Sequence, residues 1–227
     1  MSKDIFECEV PKGKGVMGII GATGDTKIFW NKKNKDEIEN VKRTFEELVG
    51  KKKFAAFSLS KMGRKSKKVT EFDPNLQKLI LIPPIAGGQE GALTTQECAP
   101  SLLKAVKINE EAEIKAMTLL KKKIGEAKFI KFAAIGYIEI KGKYGTYKLG
   151  LGNVELHRFD KIGKKTRPLI YGLCVDISPK IHNIPKGDRI LSLYLSITEN
   201  EEEFIKTANF RFVTTNDEFR ERNETQT

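Results

Sequence analysis

The residues in this chain with the most versatile chemistry are three cysteines and two histidines. Cys8, Cys98 and Cys174 are widely separated, and so are His157 and His182. Zinc sites draw on closely spaced pairs such as C-x-x-C, and no such pair occurs here. Three scattered cysteines do not make a disulfide framework either. The sequence therefore predicts no metal and no cofactor.

A cysteine nucleophile needs a base, which here would be one of the two histidines. Cys174 lies within the apolar run LIYGLCVDI, where a cysteine is usually a small buried hydrophobe. His182 stands next to Asn183 and is typical of a loop. A site assembled in the fold from Cys174, His157 and His182 stays an open alternative. No pair of carboxylates is placed as an acid/base couple, so the sequence favours a protein that is not an enzyme.

The segment GIIGATGDTK at positions 18–27 has the glycines of a phosphate-binding loop but not its order. In a Walker loop, a lysine follows the last glycine directly, whereas two residues separate Gly24 from Lys27. A Rossmann turn leads into a helix, and residues 28–30 are typical of a strand. We therefore expect a β-hairpin turn.

Positive charge is the strongest compositional signal, with 41 Lys and Arg, 30 Asp and Glu and a net charge of +11. Such a surplus favours anionic partners, and it also serves solubility alone. Two basic clusters lie on predicted loop tips, around Gly63 and Gly163. They are Arg64, Lys65, Lys67 and Lys68, and Lys161, Lys164, Lys165 and Arg167. These tips are candidates for salt-dependent phosphate contacts. Aromatic residues are not interleaved with them, which argues against base stacking.

The first part of the chain has the pattern of a small sheet crossed by one helix. The helix carries an apolar stripe of Ile38, Val41, Phe45 and Leu48, with Asn34 as its cap and Gly50 as its end. Runs typical of strands occupy residues 16–20, 26–30, 54–59, 69–72 and 76–82. This order, followed by Gly87 and Gly88, resembles the β-grasp plan of ubiquitin-like proteins. The resemblance implies processing at the diglycine. The long continuation of the chain and the stiff Pro83-Pro84 favour a flexible exit from the first domain instead, with processing as the alternative.

Residues 83–110 are rich in Pro, Gly, Thr and Gln and have no helical or strand period, which indicates a connector. A helix at about 111–124 follows, with a predicted buried stripe of Ile114, Met117, Leu120 and Ile124. Four strand-like runs then predict an antiparallel meander. Two helices close it, one at about 188–198 and one at about 201–209. The first has a predicted buried stripe of Ile190, Leu193, Tyr194 and Ile197. We expect an α+β fold with domains at 1–86 and 111–213, a linker at 87–110 and a charged tail at 214–227. Each domain is expected to pack its own separate interior.

Two segments resemble uncharacterised modules of bacterial and phage proteins. The first carries GDTK-x-x-W, an FDP turn and a strand followed by PP and GG, within residues 24–88. The second carries LLKKKIG, GYIEIKGKYGTYKL, a Leu-Cys pair and IPKGDRILSLYLSI, within residues 111–209. The resemblance implies a phage or mobile-element setting and transfers no catalytic residue.

Together these observations favour a non-catalytic interaction protein, with a protein partner or a virion assembly as its setting. The alternatives are a basic DNA- or RNA-binding factor and a ubiquitin-like module processed at Gly87 and Gly88. The first residues lack the apolar region of a signal peptide, and the longest apolar run is too short to span a bilayer. We therefore expect a cytoplasmic or virion location without secretion or membrane contact. The sequence contains no pattern that indicates an oligomeric state.

Overall fold

The structure, a computed structural model, describes residues 10–21, 24–60, 66–87, 110–151, 153–162, 165–177 and 184–215. Its helices are α1 Lys35–Glu46, α2 Glu110–Ile124, α3 Glu126–Ile135, α4 Lys186–Glu199 and α5 Glu201–Thr207. Its strands are β1 Lys14–Gly21, β2 Gly24–Asn31, β3 Ala55–Leu59, β4 Ser66–Val69, β5 Lys78–Ile82, β6 Ile85–Gly87, β7 Tyr137–Lys141, β8 Thr146–Gly150, β9 Val154–Ile162, β10 Lys165–Ile177 and β11 Asn209–Thr215. The expected α+β class is confirmed.

The first sheet has five strands in the order β2-β1-β5-β3-β4. β1 and β5 run parallel, and every other neighbouring pair in this sheet is antiparallel. A parallel pair needs a crossover connection, and the chain supplies it between β2 and β3 by passing α1 across one face of the sheet. This strand order with one crossing helix fits the predicted small sheet crossed by a single helix, while the resemblance to the β-grasp plan stays a prediction.

α1 begins as its cap predicts but ends differently. The side-chain oxygen of Asn34 accepts hydrogen bonds from the backbone N–H groups of Asp36 and Glu37. The expectation that Gly50 ends the helix in a left-handed conformation is wrong. The chain continues through a π-helical turn at Glu47–Lys51, and a positive φ of 60° occurs instead at Lys53.

The central strand β5 is buried at all five positions because both faces of the first sheet are covered. Leu79 and Leu81 pack with Phe45 of α1 and with Trp30. Ile80 and Ile82 point to the opposite face and join a different apolar cluster. A strand covered on both sides reads as a continuous apolar run, which explains the sequence KLILI.

The second sheet is an antiparallel meander in the order β11-β10-β9-β8-β7. The short strand β6, which directly follows the first sheet, pairs with the far end of β10, where Gly87 lies opposite Val175 and Ile85 opposite Ile177. The sequence pattern missed both β6 and β11. The sequence pattern assigned residues 85–87 to the start of the connector. β11 begins at the predicted end of the last helix and extends into the predicted charged tail.

One apolar cluster joins the two halves of the chain. It contains Ile80 and Phe57 from the first sheet, Leu120 from α2, and Leu149 and Leu156 from the second sheet. α4 completes the layer between the sheets, with nine buried residues distributed around its circumference. Because buried residues lie on all sides of α4, its neighbours cover most of its surface. The expectation of two separately packed interiors is therefore wrong for the described residues, while the domain boundaries stay a prediction.

The predicted faces of two helices also need correction. On α2 the buried residues include Ala112, Ala116 and Leu119, whereas Ile114 is 68 % exposed. α4 was expected to bury one stripe, but Leu191 and Leu195 are also fully buried there. On α2, packing against α4 determines which residues are buried.

Candidate nucleic-acid interface

Cys174 and His157 do not form a catalytic pair. His157 lies opposite Ile170 in the β9–β10 ladder, four residues along β10 from Cys174. At about 3.3 Å per residue, this separation is about 13 Å, well beyond hydrogen-bond reach. The Nε2 atom of His157 instead lies 2.9 Å from a carboxylate oxygen of Glu155. His182, Cys8 and Cys98 lie outside the described residues.

Within the described residues, no group of three or more His, Cys, Asp or Glu side chains is placed to hold a metal ion. Nor does any described helix combine the length and the apolar character needed to cross a membrane. The glycine-rich segment pairs as a β-hairpin, since Gly21 lies opposite Gly24, and Lys27 lies within β2 opposite Gly18.

The diglycine lies at the end of a paired strand. Gly87 closes β6 in register with β10, and Gly88 lies outside the described residues. Pro83 is buried and Ile85 packs against the shared apolar cluster. The chain therefore leaves the first sheet along a fixed path as far as Gly87.

The first basic cluster stands at the start of the edge strand β4. Lys67 and Lys68 are exposed there, opposite Ser58 and Phe57 of β3. Arg64 and Lys65 lie outside the described residues. An edge strand with exposed lysines resists pairing with other chains, so this arrangement also has a structural use.

Ser66, the first residue of β4, connects this hairpin to the second half. The Lys123 ammonium donates a hydrogen bond of 2.7 Å to the Ser66 hydroxyl, which in turn donates to the Glu199 carboxylate at the end of α4. Lys123 is only 5 % exposed. Burial lowers the pKa of Lys123, and the nearby Glu199 carboxylate partly opposes that effect.

A shallow depression of about 370 Å³ lies beside this contact and is lined by Lys123, Tyr194 and residues 124–128. Burial, followed by the charge of Glu199, raises the pKa of Tyr194. Because the Lys123 ammonium donates to Ser66, and Ser66 donates to Glu199, these contacts link α2, β4 and α4.

Two residues beyond Glu199, the carboxylate of Glu201 holds the β7–β8 turn. It accepts hydrogen bonds from the backbone N–H groups of Lys143 and Tyr144, at 2.8 and 3.0 Å. The buried Tyr147 hydroxyl donates a third, at 2.8 Å. Burial, then this hydrogen bond, raises the pKa of Tyr147 well above its ordinary value. Glu201 thus fixes the end of the second sheet next to the β4 contact.

The second basic cluster belongs to the β9–β10 hairpin, which extends past this same end of the sheet. The β7–β8 turn lies beside β9, since Thr146 pairs with His157. From Arg158, β9 continues four residues to Ile162, about 13 Å further. Lys161, Lys165 and Arg167 occupy these two strands, and Lys164 lies outside the described residues. The contacts through Glu199 and Glu201 therefore bring the bases of both hairpins to one end of the molecule.

An aromatic residue in this hairpin was missed. Phe159, two residues before Lys161, is 75 % exposed. The expectation that aromatic residues are not interleaved with the basic tips is wrong at this position. The segment HRFDKIGKKTR carried the signal, because alternation with buried Val154 and Leu156 places Phe159 on the outer face of the sheet.

No protein-family model, no curated protein and no solved structure matches the chain. The resemblances to bacterial and phage modules therefore stay predictions, and the function must be argued from the geometry.

Proposed function

We propose that this protein is a non-catalytic nucleic-acid-binding factor that contacts phosphates through its two basic hairpins. The observation that carries the proposal is the position of the hairpin bases at one end of the molecule. Basic residues carried by two hairpins with neighbouring bases would offer a polyanion a single footprint, and the net charge of +11 favours such a partner at longer range.

Acidic residues between the hairpins are the strongest argument against this function, and most of them have partners. Glu199 accepts from Ser66, and Glu201 accepts from the β7–β8 turn. Glu202 forms an ion pair of 3.1 Å with Lys143. The described carboxylates at the start of α5 are thus largely compensated by their neighbours, so they do not oppose a polyanion with their full charge.

Charge reversal tests the proposal in two halves. The variants are Lys67→Glu/Lys68→Glu on the first hairpin and Lys164→Glu/Lys165→Glu on the second. We expect each to weaken binding of labelled duplex DNA by about tenfold or more, and to reduce the slope of log K against log salt by about 0.9 per lost phosphate contact. Fluorescence anisotropy over a salt series measures both quantities.

The matched control is Lys51→Glu/Lys53→Glu, which changes the net charge equally. These exposed lysines lie next to the start of β3, whereas Ser66 pairs with Leu59 at its other end. We expect the control to retain affinity within about threefold. Equal losses of affinity in all three variants would mean that net charge alone causes the effect. Undiminished binding by both hairpin variants would eliminate the proposal.

A second candidate function follows from the β-grasp strand order, in which the first sheet is a ubiquitin-like module cleaved after Gly88. The pairing of β6 with β10 and the burial of Ile80 and Ile82 weigh against release of such a module. Release of the module would expose this apolar face to water, which costs about 25 cal/mol of free energy for each Å² exposed. Intact-mass measurement on protein from its native cells tests this candidate, because a product ending at Gly88 would support it over nucleic-acid binding.

Assembly with a protein partner or a virion is the third candidate, and it has the phage resemblance as its only support. Copurification from native cells separates it from nucleic-acid binding. Recovery of a defined protein complex that resists nuclease and high salt would favour assembly.

A further inference from the structure

The second sheet has one buried face and one open face. Along β7 and β8, the inward side chains Ile138, Ile140, Tyr147 and Leu149 are at most 6 % exposed. The residues between them are partly or fully exposed, in the alternating pattern of a sheet covered on one side. β9 continues the pattern, with Glu155, His157 and Phe159 outward. The three adjacent strands β7, β8 and β9 thus present a continuous accessible surface.

Aromatic rings and cations share this open face. Phe159 is its most exposed ring, and Tyr137 lies on the same face at β7, with the Lys148 ammonium 5.0 Å from its ring centroid. Lys141 is exposed at the end of β7, towards the basic hairpin end of the sheet. Among the described side chains of this face, the carboxylates of Glu139 and Glu155 are engaged, Glu139 with Lys131 at 3.1 Å and Glu155 with His157. The remaining cations make the face complementary to an anionic chain.

We infer that this open face binds single-stranded nucleic acid, with a base stacked on the ring of Phe159 and the backbone held by Lys141 and Lys148. The inference deepens the proposed function and rests on it. An exposed ring on a sheet face accepts any base, because every base has a flat π-surface. A duplex keeps its bases stacked on one another and offers only phosphates to the same lysines.

The test compares Phe159→Ala with two controls. Phe159→Trp keeps an aromatic surface, and Phe29→Ala removes a ring that is 48 % exposed on the first sheet. The probes are a short labelled oligothymidylate and its duplex with oligoadenylate. We expect Phe159→Ala to weaken strand binding by about 5-fold to 100-fold, while duplex binding changes by less than about 2-fold. Phe159→Trp and Phe29→Ala should bind the strand like the unmodified protein.

The outcomes separate this inference from the function on which it rests. If Phe159→Ala binds the strand normally while Lys164→Glu/Lys165→Glu does not, the stacking role is wrong and phosphate binding stands. If Phe159→Ala weakens strand and duplex equally, the specificity for single strands is wrong. If the unmodified protein binds neither probe at low salt, both proposals fall. Circular dichroism on each variant ensures that a loss is not due to unfolding.

Discussion

The first sheet is covered on both faces, whereas the second is covered on one. β5 of the first sheet is buried at every position, between α1 on one side and the helices α2 and α4 on the other. In β7 and β8 of the second sheet, buried residues alternate with accessible ones. The first sheet therefore has its edges and loops left for partners, while the second also has an accessible face along β7, β8 and β9. This difference places the candidate interface on the second half of the molecule.

The largest expected effect tests whether the covered face of the first sheet belongs to a shared core. Ile80 is 1 % exposed and joins the cluster that spans both halves. We expect Ile80→Ala to lower the free energy of unfolding by about 2–5 kcal/mol, because it leaves a cavity between the sheets. Ile170→Ala, on the half-buried outer side of β10, should lower it by less than half as much.

Two probes of the same urea titration make this test specific. Trp30, the only tryptophan, is buried beside α1 and reports on the first sheet, while far-ultraviolet circular dichroism reports mainly on the helices of the second half. We expect the two transitions to coincide and to shift together in Ile80→Ala. Two separate transitions, with only the tryptophan signal shifted, would restore the interpretation of two independent interiors.

A smaller loss is expected at the turn that ends the second sheet. Glu201→Ala leaves the buried Tyr147 hydroxyl and two backbone N–H groups without their acceptor. We expect a loss of about 1–3 kcal/mol in unfolding free energy, measured by urea denaturation. Glu203→Ala is the matched control in the same acidic turn, and its exposed side chain predicts a change within about 0.5 kcal/mol. Equal effects would show that the charge of α5, and not the turn contact, is responsible.

The sequence predicted the locally determined parts of this structure. The start of α1 follows from Asn34 and the residues that it caps, and the alternation in β7 and β8 follows from one-sided burial. β6 could not be predicted because its three residues pair with a strand in the other half of the chain. Such pairing leaves no local pattern.

The buried side of α2 was missed for a different reason. Gly187 of α4 approaches so closely that a Cβ atom there would lie 2.4 Å from the backbone carbon of Ala116. Small residues are therefore buried at this crossing, whereas hydrophobic periodicity selected the large Ile114. The sequence alone shows the positive charge of the two hairpin tips. It does not show that the bases of the two hairpins lie near each other, because that depends on tertiary contacts.

The burial of Lys123 also predicts that the free energy of unfolding depends on pH. Burial lowers the pKa of Lys123 below its ordinary value of 10.5. Between the folded-state pKa and 10.5, the unfolded chain binds more protons at this site, so the contribution of Lys123 makes folding more favourable as the pH rises. Urea titrations of the unmodified protein and Lys123→Met across this window should show their stability difference moving in favour of the unmodified protein. A difference that is constant with pH would mean that Lys123 is solvated like a surface lysine.

The smallest expected effect concerns the outer side of α2. Ile114 is 68 % exposed although its neighbours on the helix are buried in the layer between the sheets. Ile114→Ala should leave the unfolding free energy unchanged or raise it by up to about 0.5 kcal/mol, because alanine is the better helix former. Leu120→Ala, at a fully buried position of the same helix, should cost about 2–5 kcal/mol in the same urea titration. A loss at Ile114 comparable to that at Leu120 would mean that this side of α2 is covered, and the layer between the sheets would then extend beyond the surface described.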